Sequence, residues 1–295
     1  MKKQGKAEMA KIIDGKIISE GIKQEIKTQV LTLKEKGVTP SLTVIVVGNN
    51  PASAAYIKGK QKDCEECGIN SQVIALSETT TKEEIIEKVK ELNKDDTVNG
   101  ILVQLPLPEH INSNEVISVI SPQKDVDGFT TISAGNLMLG TEGFRSCTPA
   151  GVILMLKKAE VEISGKHCVV IGRSNIVGKP LAVMLIEENA TVTVCHSKTI
   201  NIKEMALQAD ILISAVGKQG FVTKDMVKQG AVVVDIGINR NEEGKLCGDV
   251  SFEEVSEVAS AITPVPGGVG LMTRVVLLQN TIKATLQQNN ICITN

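Results

Sequence analysis

Four short apolar runs recur through the second half of this chain at intervals of about twenty residues: His167–Ile171, Thr191–Cys195, Asp210–Ala215 and Ala231–Ile236. Helical patterns fill the gaps between them. Strands joined by helices at this spacing close as right-handed βαβ units, so this half predicts a parallel sheet with helices on its faces. A less regular run of the same kind precedes it. A helix is predicted over Ile12–Lys36, closed by Gly37 and Pro40, followed by a strand at Leu42–Gly48 and a turn at Asn49-Asn50-Pro51. A helix from about Ala52 to Cys67, a strand at Gln72–Leu76, a helix at Lys82–Leu92 and a strand at Gly100–Leu105 come next, stopped by Pro106 and Pro108. Thr148-Pro149 predicts an N-cap and a proline at the first helical position. The helix so started carries Val152, Ile153, Met155 and Leu156 on its apolar face, and the crossover between domains is placed there. A final helix, Thr273–Gln288, follows a Pro/Gly-rich loop and is free in sequence to pack back onto the first half.

The chain has 295 residues, enough for two domains of ordinary size. Hydrophobic residues make up 42% but aromatics only 2%, so the cores rest on Val, Ile, Leu, Met and Ala. A net charge of -2 offers no basic excess for nucleic acid or an anionic membrane surface, and no apolar run approaches a membrane span. Met1–Lys6 is basic but no apolar stretch follows, which excludes a secretory signal. The first ten residues read as a disordered lead-in. The 7 cysteines are scattered, which argues against a disulfide framework and for a reducing, cytoplasmic setting. Cys64-x-x-Cys67 is either half a zinc or redox site or a pair of helix-facing thiols. No second C-x-x-C exists to complete a metal site, so the second reading is favoured and no metal is expected.

Val169-Val170-Ile171-Gly172-Arg173-Ser174-Asn175-Ile176-Val177-Gly178 lies between a strand and a helix. A pyrophosphate held at a helix N-terminus needs small residues there, so that the chain turns sharply and backbone N–H groups approach the anion. The pattern departs from G-x-G-x-x-G: Ser174 stands for the second glycine and Gly178 lies one position late. Alone it is compatible with an ordinary turn; the repeated strands favour a Rossmann-type dinucleotide site. The next strand ends in Cys195-His196-Ser197-Lys198-Thr199, without the acid that binds a ribose 2′-hydroxyl in NAD enzymes. A hydroxyl and a cation suit a 2′-phosphate, and Arg173 adds a forked one, so NADP is favoured over NAD. His196 falls at the adenosine end and reads as cofactor-adjacent or structural.

In the first half, Tyr56 and Lys60 share one helix face. Lys60 is either a surface lysine or a cleft lysine with acid–base work. Gln104-Leu105-Pro106 ends a strand, at the edge where open α/β sheets bind ligands. Asp125-Val126-Asp127-Gly128 reads as a turn. Pro264-Val265-Pro266-Gly267-Gly268-Val269-Gly270 either exposes N–H groups to a ligand or links two elements.

Together these segments resemble the bifunctional methylenetetrahydrofolate dehydrogenase/methenyltetrahydrofolate cyclohydrolase family, from about Ile12 to Gln288. The resemblance rests on Tyr56-Ile57-x-x-Lys60, Gly100-Ile101-Leu102-Val103-Gln104-Leu105-Pro106, Lys124-Asp125-Val126-Asp127-Gly128, Cys147-Thr148-Pro149-x-Gly151, Gly172-Arg173-Ser174-x-x-Val177-Gly178-x-Pro180 and Pro264-x-Pro266-Gly267-Gly268-Val269-Gly270. It implies an α/β chain of two domains enclosing a cleft. One is a three-layer α/β folate domain over 11–148 and 273–295, the other a Rossmann NADP-binding domain over 149–272. The implied activity is NADP-dependent oxidation of 5,10-methylenetetrahydrofolate, then hydrolysis to 10-formyltetrahydrofolate, by a homodimer. Lys60 is the implied acid/base, set by Tyr56 and oriented by Gln104, and Asp127 is the implied anchor of the pterin ring. Leu105, Pro106, Pro266, Gly267 and Gly268 complete the implied substrate site. Gly172, Arg173, Ser174, Ser197 and the backbone near Ile238 are the implied cofactor contacts. The family usually has proline where this chain has Leu271. An oxidoreductase of the same plan acting on an amino acid or a shikimate-like acid would not need the Tyr56/Lys60 pair, and a non-catalytic nucleotide sensor would not need Lys60, Gln104 and Asp127.

Overall fold

The structure, a computed structural model, describes residues 9–292. Most of the expected lead-in lies outside them; Ala10, within them, is buried and donates its N–H to the Ser256 carbonyl at 3.0 Å. The elements run β1 (Lys11–Ile12), α1 (Gly15–Glu35), β2 (Ser41–Val47), α2 (Pro51–Cys67), β3 (Asn70–Leu76), α3 (Lys82–Lys94), β4 (Gly100–Val103), α4 (Ser113–Ile117), α5 (Thr131–Met138) and α6 (Cys147–Lys158). They continue with β5 (His167–Ile171), α7 (Gly178–Glu187), β6 (Thr191–Cys195), α8 (Ile202–Ala206), β7 (Ile211–Ser214), β8 (Val232–Asp235), β9 (Asn239–Arg240), β10 (Leu246–Cys247), α9 (Phe252–Val255), β11 (Ala261–Ile262) and α10 (Val269–Gln288).

The chain divides into two compact units. One comprises Glu20–Cys147 and the chain from Arg274 onward; the other comprises Thr148–Thr273 with the described residues up to Ser19. In the first, β3-β2-β4 form a parallel sheet with Leu42 opposite Ser71 and Gly100. Ile45, Val47, Ile101 and Val103 pack against Ile85 and Val89 of α3 and Val116 of α4. Leu42, Val44 and Leu102, on the opposite face, are equally buried, so the sheet is covered on both sides. Helix α3 starts on a capping box, with Thr81 accepting from the Glu84 N–H and Glu84 from the Thr81 N–H. Helix α10 closes onto this unit as expected: Asn280 donates to the Val126 carbonyl at 2.8 Å and Gln288 to that of Asn99 at 2.8 Å.

The second unit is built on a six-stranded sheet in the order β1-β11-β8-β7-β5-β6, parallel throughout. Strand order reverses on either side of β5, the switch point where a Rossmann sheet binds its ligand. One face packs Val169, Ile171, Leu212, Val233 and Ile262 against Val222, Val250 and Val255.

The structure corrects three expectations. Ile12 is not helical: β1 pairs Lys11 with Ala261 and Ile12 with Ile262, and α1 begins only after Asp14, whose Oδ1 accepts from the Lys16 N–H at 2.7 Å. Strand β1 therefore lies at the edge of the six-stranded sheet. Thr148 is no N-cap, because α6 begins at Cys147; its hydroxyl instead meets that of Thr273 at 3.0 Å. The last helix begins at Val269, inside the Pro-Gly-Gly segment, four residues before the expected start.

Candidate active site

Lys60 projects from α2 and is buried, which sets aside its reading as a surface lysine. Its Nζ donates to Gln104 Oε1 at 2.9 Å. Gln104 extends β4 by donating its backbone N–H to the Ile45 carbonyl at 2.8 Å, and its Nε2 donates to the Leu105 carbonyl at 2.8 Å. With Nε2 committed, only the amide oxygen can face the lysine. The Tyr56 ring lies one helical turn away, its centroid 5.9 Å from Lys60 Nζ. Burial pulls the Lys60 ammonium below its usual range, opposed by the charge of Asp127. Burial lifts the Tyr56 phenol, opposed by Arg274.

The two aspartates of Asp125-Val126-Asp127-Gly128 are split in role by local hydrogen bonding. Asp125 is fully buried and accepts from the backbone N–H groups of Gly128 (3.1 Å), Phe129 (3.1 Å) and Thr130 (2.9 Å) and from the Ser133 hydroxyl (2.6 Å). It builds the turn. Gly128 must be glycine there: its φ is 72°, and a Cβ would fall 2.6 Å from the Arg145 backbone. Asp127 is left to interact with Lys60, and burial raises its carboxyl to about 6 against the pull of that lysine. Cys147 closes this side, its buried thiol donating to the Val126 carbonyl at 3.3 Å. It belonged to a recognised motif, but nothing about a lone cysteine in sequence marked it as a neighbour of Asp127.

A second charged group on α2 had no sequence signal beyond spacing. Asp63, buried, lies 2.9 Å from Arg274 Nε and 3.8 Å from Lys23 Nζ. Gly59 makes room, because a Cβ there would sit 2.1 Å from Arg274 Nη1. Cys64 and Cys67 are core residues whose thiols burial lifts to about 12 and about 11. Raised thiols buried in the core fit the reading as packing residues.

In the other unit, Gly172 carries φ 136°, and a Cβ there would lie 2.5 Å from the Ala215 carbonyl oxygen. A Cβ on Gly178 would lie 2.1 Å from the Gly172 carbonyl oxygen. The first glycine lets the loop pass over β7 and the second brings the start of α7 against the loop. Ser174 takes a different part from the glycine it replaces: its Oγ accepts from the Val177 N–H at 3.1 Å and the Gly178 N–H at 3.4 Å. Ile171 pairs with Cys195, so Arg173 and Ser197 leave adjacent strand ends at matching positions, both exposed and with Lys198 beside them. His196 accepts the Lys198 N–H on Nδ1 at 3.1 Å and shapes that turn. Asp249 gathers the loop after β7, accepting from the N–H groups of Val216 (2.8 Å), Gly217 (3.2 Å) and Lys218 (2.9 Å). Asp235 accepts from Gly237, Asp249 and Val250, each at 2.9 Å, and supports the turn that presents the half-exposed Ile238. Pro266, Gly267 and Gly268 also belong to this unit, whereas Tyr56, Lys60, Gln104, Leu105, Pro106 and Asp127 belong to the first. The loop is tightly packed: a Cβ on Gly268 would lie 2.5 Å from the Pro264 carbonyl oxygen.

Residues 13–127 match the family described as tetrahydrofolate dehydrogenase/cyclohydrolase, catalytic domain, and residues 146–289 match its NAD(P)-binding domain. The chain is 55% identical over 279 residues to the bifunctional protein FolD of Acetivibrio thermocellus, covering 95% of this chain and 98% of that one. It is 53% identical to that of Bacillus cytotoxicus, covering 96% and 99%. Among solved structures, the bifunctional enzyme FolD of Campylobacter jejuni superposes with a TM-score of 0.93 at 52% identity, covering 94% of this chain and 99% of that one. The Trypanosoma brucei enzyme, solved with NADP cofactor and inhibitor, gives 0.91 at 36% identity, covering 95% and 98%. With both halves matched in order over nearly the whole length, this chain belongs to the tetrahydrofolate dehydrogenase/cyclohydrolase family.

Proposed function

We infer that this chain oxidises 5,10-methylenetetrahydrofolate to 5,10-methenyltetrahydrofolate with NADP and hydrolyses the product to 10-formyltetrahydrofolate. The observation that carries the assignment within the site is the buried Lys60 set between Gln104 and Asp127.

The loop after β5 fits a dinucleotide. Gly172 and Gly178 leave a cradle that side chains would fill, and no acid stands at the end of β6 to repel a 2′-phosphate. Gly172, Ser174 and the start of α7 would hold the pyrophosphate, Arg173 and Ser197 the 2′-phosphate, and the backbone near Ile238 the rest of the cofactor. When bound, NADP supplies the acceptor for the hydride lost by the methylene carbon. That step asks no base of the protein, only alignment of the two ring systems.

The cyclohydrolase step does need proton transfer. Water adds to the methenyl carbon, the C–N5 bond breaks, and one proton must leave the water and another reach N5. Lys60 is placed for this exchange: desolvation shifts it toward the neutral amine, and Gln104 Oε1 fixes its position. Asp127 offers carboxylate oxygens to the pterin N–H donors, which holds the ring in register with the lysine. Tyr56, Leu105 and Pro106 flank the ring.

We further propose a homodimer working in the cytoplasm. The 7 cysteines, all free, suit a reducing compartment. Edge strand β6 exposes Val194, and Ile186 and Ile200 are also exposed, an apolar surface suited to a second copy. No helix among the described residues is long and apolar enough to cross a membrane.

The test is a coupled assay on methylenetetrahydrofolate with NADP, reading NADPH and methenyl absorbance. The wild type forms NADPH and the methenyl signal together and the methenyl signal then decays, whereas Lys60→Met leaves it undecayed, with hydrolysis down at least about a hundredfold. Undiminished hydrolysis in Lys60→Met would remove the role given to this lysine.

A further inference from the structure

The functional reading leaves one charged side chain beside Tyr56 unused. On α2, Tyr56, Gly59, Lys60 and Asp63 fall at helical spacing on one face. Arg274, from α10, lies across this face at Gly59, where only the missing Cβ lets its guanidinium through. Asp63 Oδ2 sits 2.9 Å from its Nε and holds the guanidinium by charge, although the buried Nε makes no hydrogen bond of good geometry. The terminal Nη1 and Nη2 groups donate to no described residue, and the side chain is a quarter exposed. Asp63 is itself shared with Lys23, which is also bound to Glu20 at 2.6 Å and Glu66 at 2.8 Å. A fork with open donors, close enough to Tyr56 for its charge to act on the phenol, suits a planar carboxylate better than it suits solvent.

We propose that Arg274 is a substrate-binding residue that takes a carboxylate of the glutamyl tail of the folate. The proposal rests on the folate reading above. A reduced folate carries its pterin at one end and its only carboxylates at the other, joined by an aminobenzoyl ring. With the pterin at Asp127 and Lys60, the ring lies along Tyr56 and the tail emerges at Arg274. The Asp63–Arg274 pair, with Gly59 beneath it, then acts as one device. Asp63 holds the guanidinium by charge, Gly59 gives it passage, and Arg274 discriminates for tail-bearing substrates.

The experiment compares KM for 5,10-methylenetetrahydrofolate with KM for 5,10-methylenetetrahydropteroate, which lacks the glutamate. Wild type, Arg274→Met and the double variant Asp63→Ala/Arg274→Val are measured. The double variant removes both charges together, so no carboxylate is left buried without its partner, and it carries the test where the single variant fails to fold. The wild type is expected to favour the glutamylated substrate by about tenfold or more in KM. In both variants that ratio falls toward one, with kcat changed far less than KM. Arg274→Lys keeps part of the preference, since it keeps the charge but not the fork. An unchanged ratio in the variants, or an equal rise in KM for both substrates, overturns the proposal; the latter places Arg274 on the pteroyl body. A wild type that turns over neither compound overturns the folate reading itself, and this proposal with it.

Discussion

Asp125 and Asp127 stand two residues apart, yet only one is available for chemistry. Asp125 spends its oxygens on three N–H groups and a hydroxyl, while Asp127 sits under desolvation with Lys60 as its main counter-charge. A carboxyl raised to about 6 is protonated just below neutrality, and a protonated Asp127 offers one acceptor less to the pterin. Cyclohydrolase kcat/KM is therefore expected to fall about tenfold per pH unit below about pH 6. Asp127→Asn should lower the rate and remove that acidic limb. A profile flat from pH 5 to pH 7 in the wild type would refute the assignment.

At the scale of elements, α10 shows how a departure from the family pattern is absorbed. Leu271 stands where proline is usual, in the first turn, where the N–H donates only to the Gly268 carbonyl at 3.2 Å. Proline is tolerated there because first-turn donors have no intrahelical i−4 partner. Leu271→Pro is expected to shift the unfolding free energy by less than about 1 kcal/mol, read by denaturant unfolding. A loss of about 3 kcal/mol or more would mean that the first turn is not regular helix. Element starts were the least legible part of the chain. The apolar period of α1 extends back through Ile12, but Asp14 caps the helix after it and β11 claims Ile12. Thr148 carries the right side chain for a cap, yet its hydroxyl finds Thr273 instead. In each case a partner distant in sequence outbid a local preference.

For the whole molecule, two buried carboxyls link stability to pH in an unusual direction. Asp127 in one unit and Asp235 in the other are both raised by burial to about 6 from the ordinary 3.8. Between these values the folded chain holds protons that the unfolded chain releases. This contribution to stability is full below about pH 4 and is lost as the pH rises through 6, on the order of 3 kcal/mol per group. Glu66, held down to about 2 by hydrogen bonds from Lys23 and Lys27, acts oppositely and loses its contribution only at lower pH. Thermal melting is therefore expected at a higher temperature at pH 5.5 than at pH 7.5. A midpoint that instead rises steadily from pH 5.5 to pH 7.5 would contradict the burial of these groups.

By itself the sequence determined the alternation of strands and helices, the parallel sheets, the glycine loop at Gly172 and the family to which its motifs belong. These rest on local periodicity and on short-range sterics that neighbouring residues impose. It did not decide that Lys60 is buried, that its partner is Gln104, 44 residues away, that Asp125 builds while Asp127 binds, or that Asp63 and Arg274 meet over Gly59. Only the tertiary structure decided those, because desolvation and the pairing of charges are properties of a side chain's surroundings, and folding brings those surroundings together from distant parts of the chain.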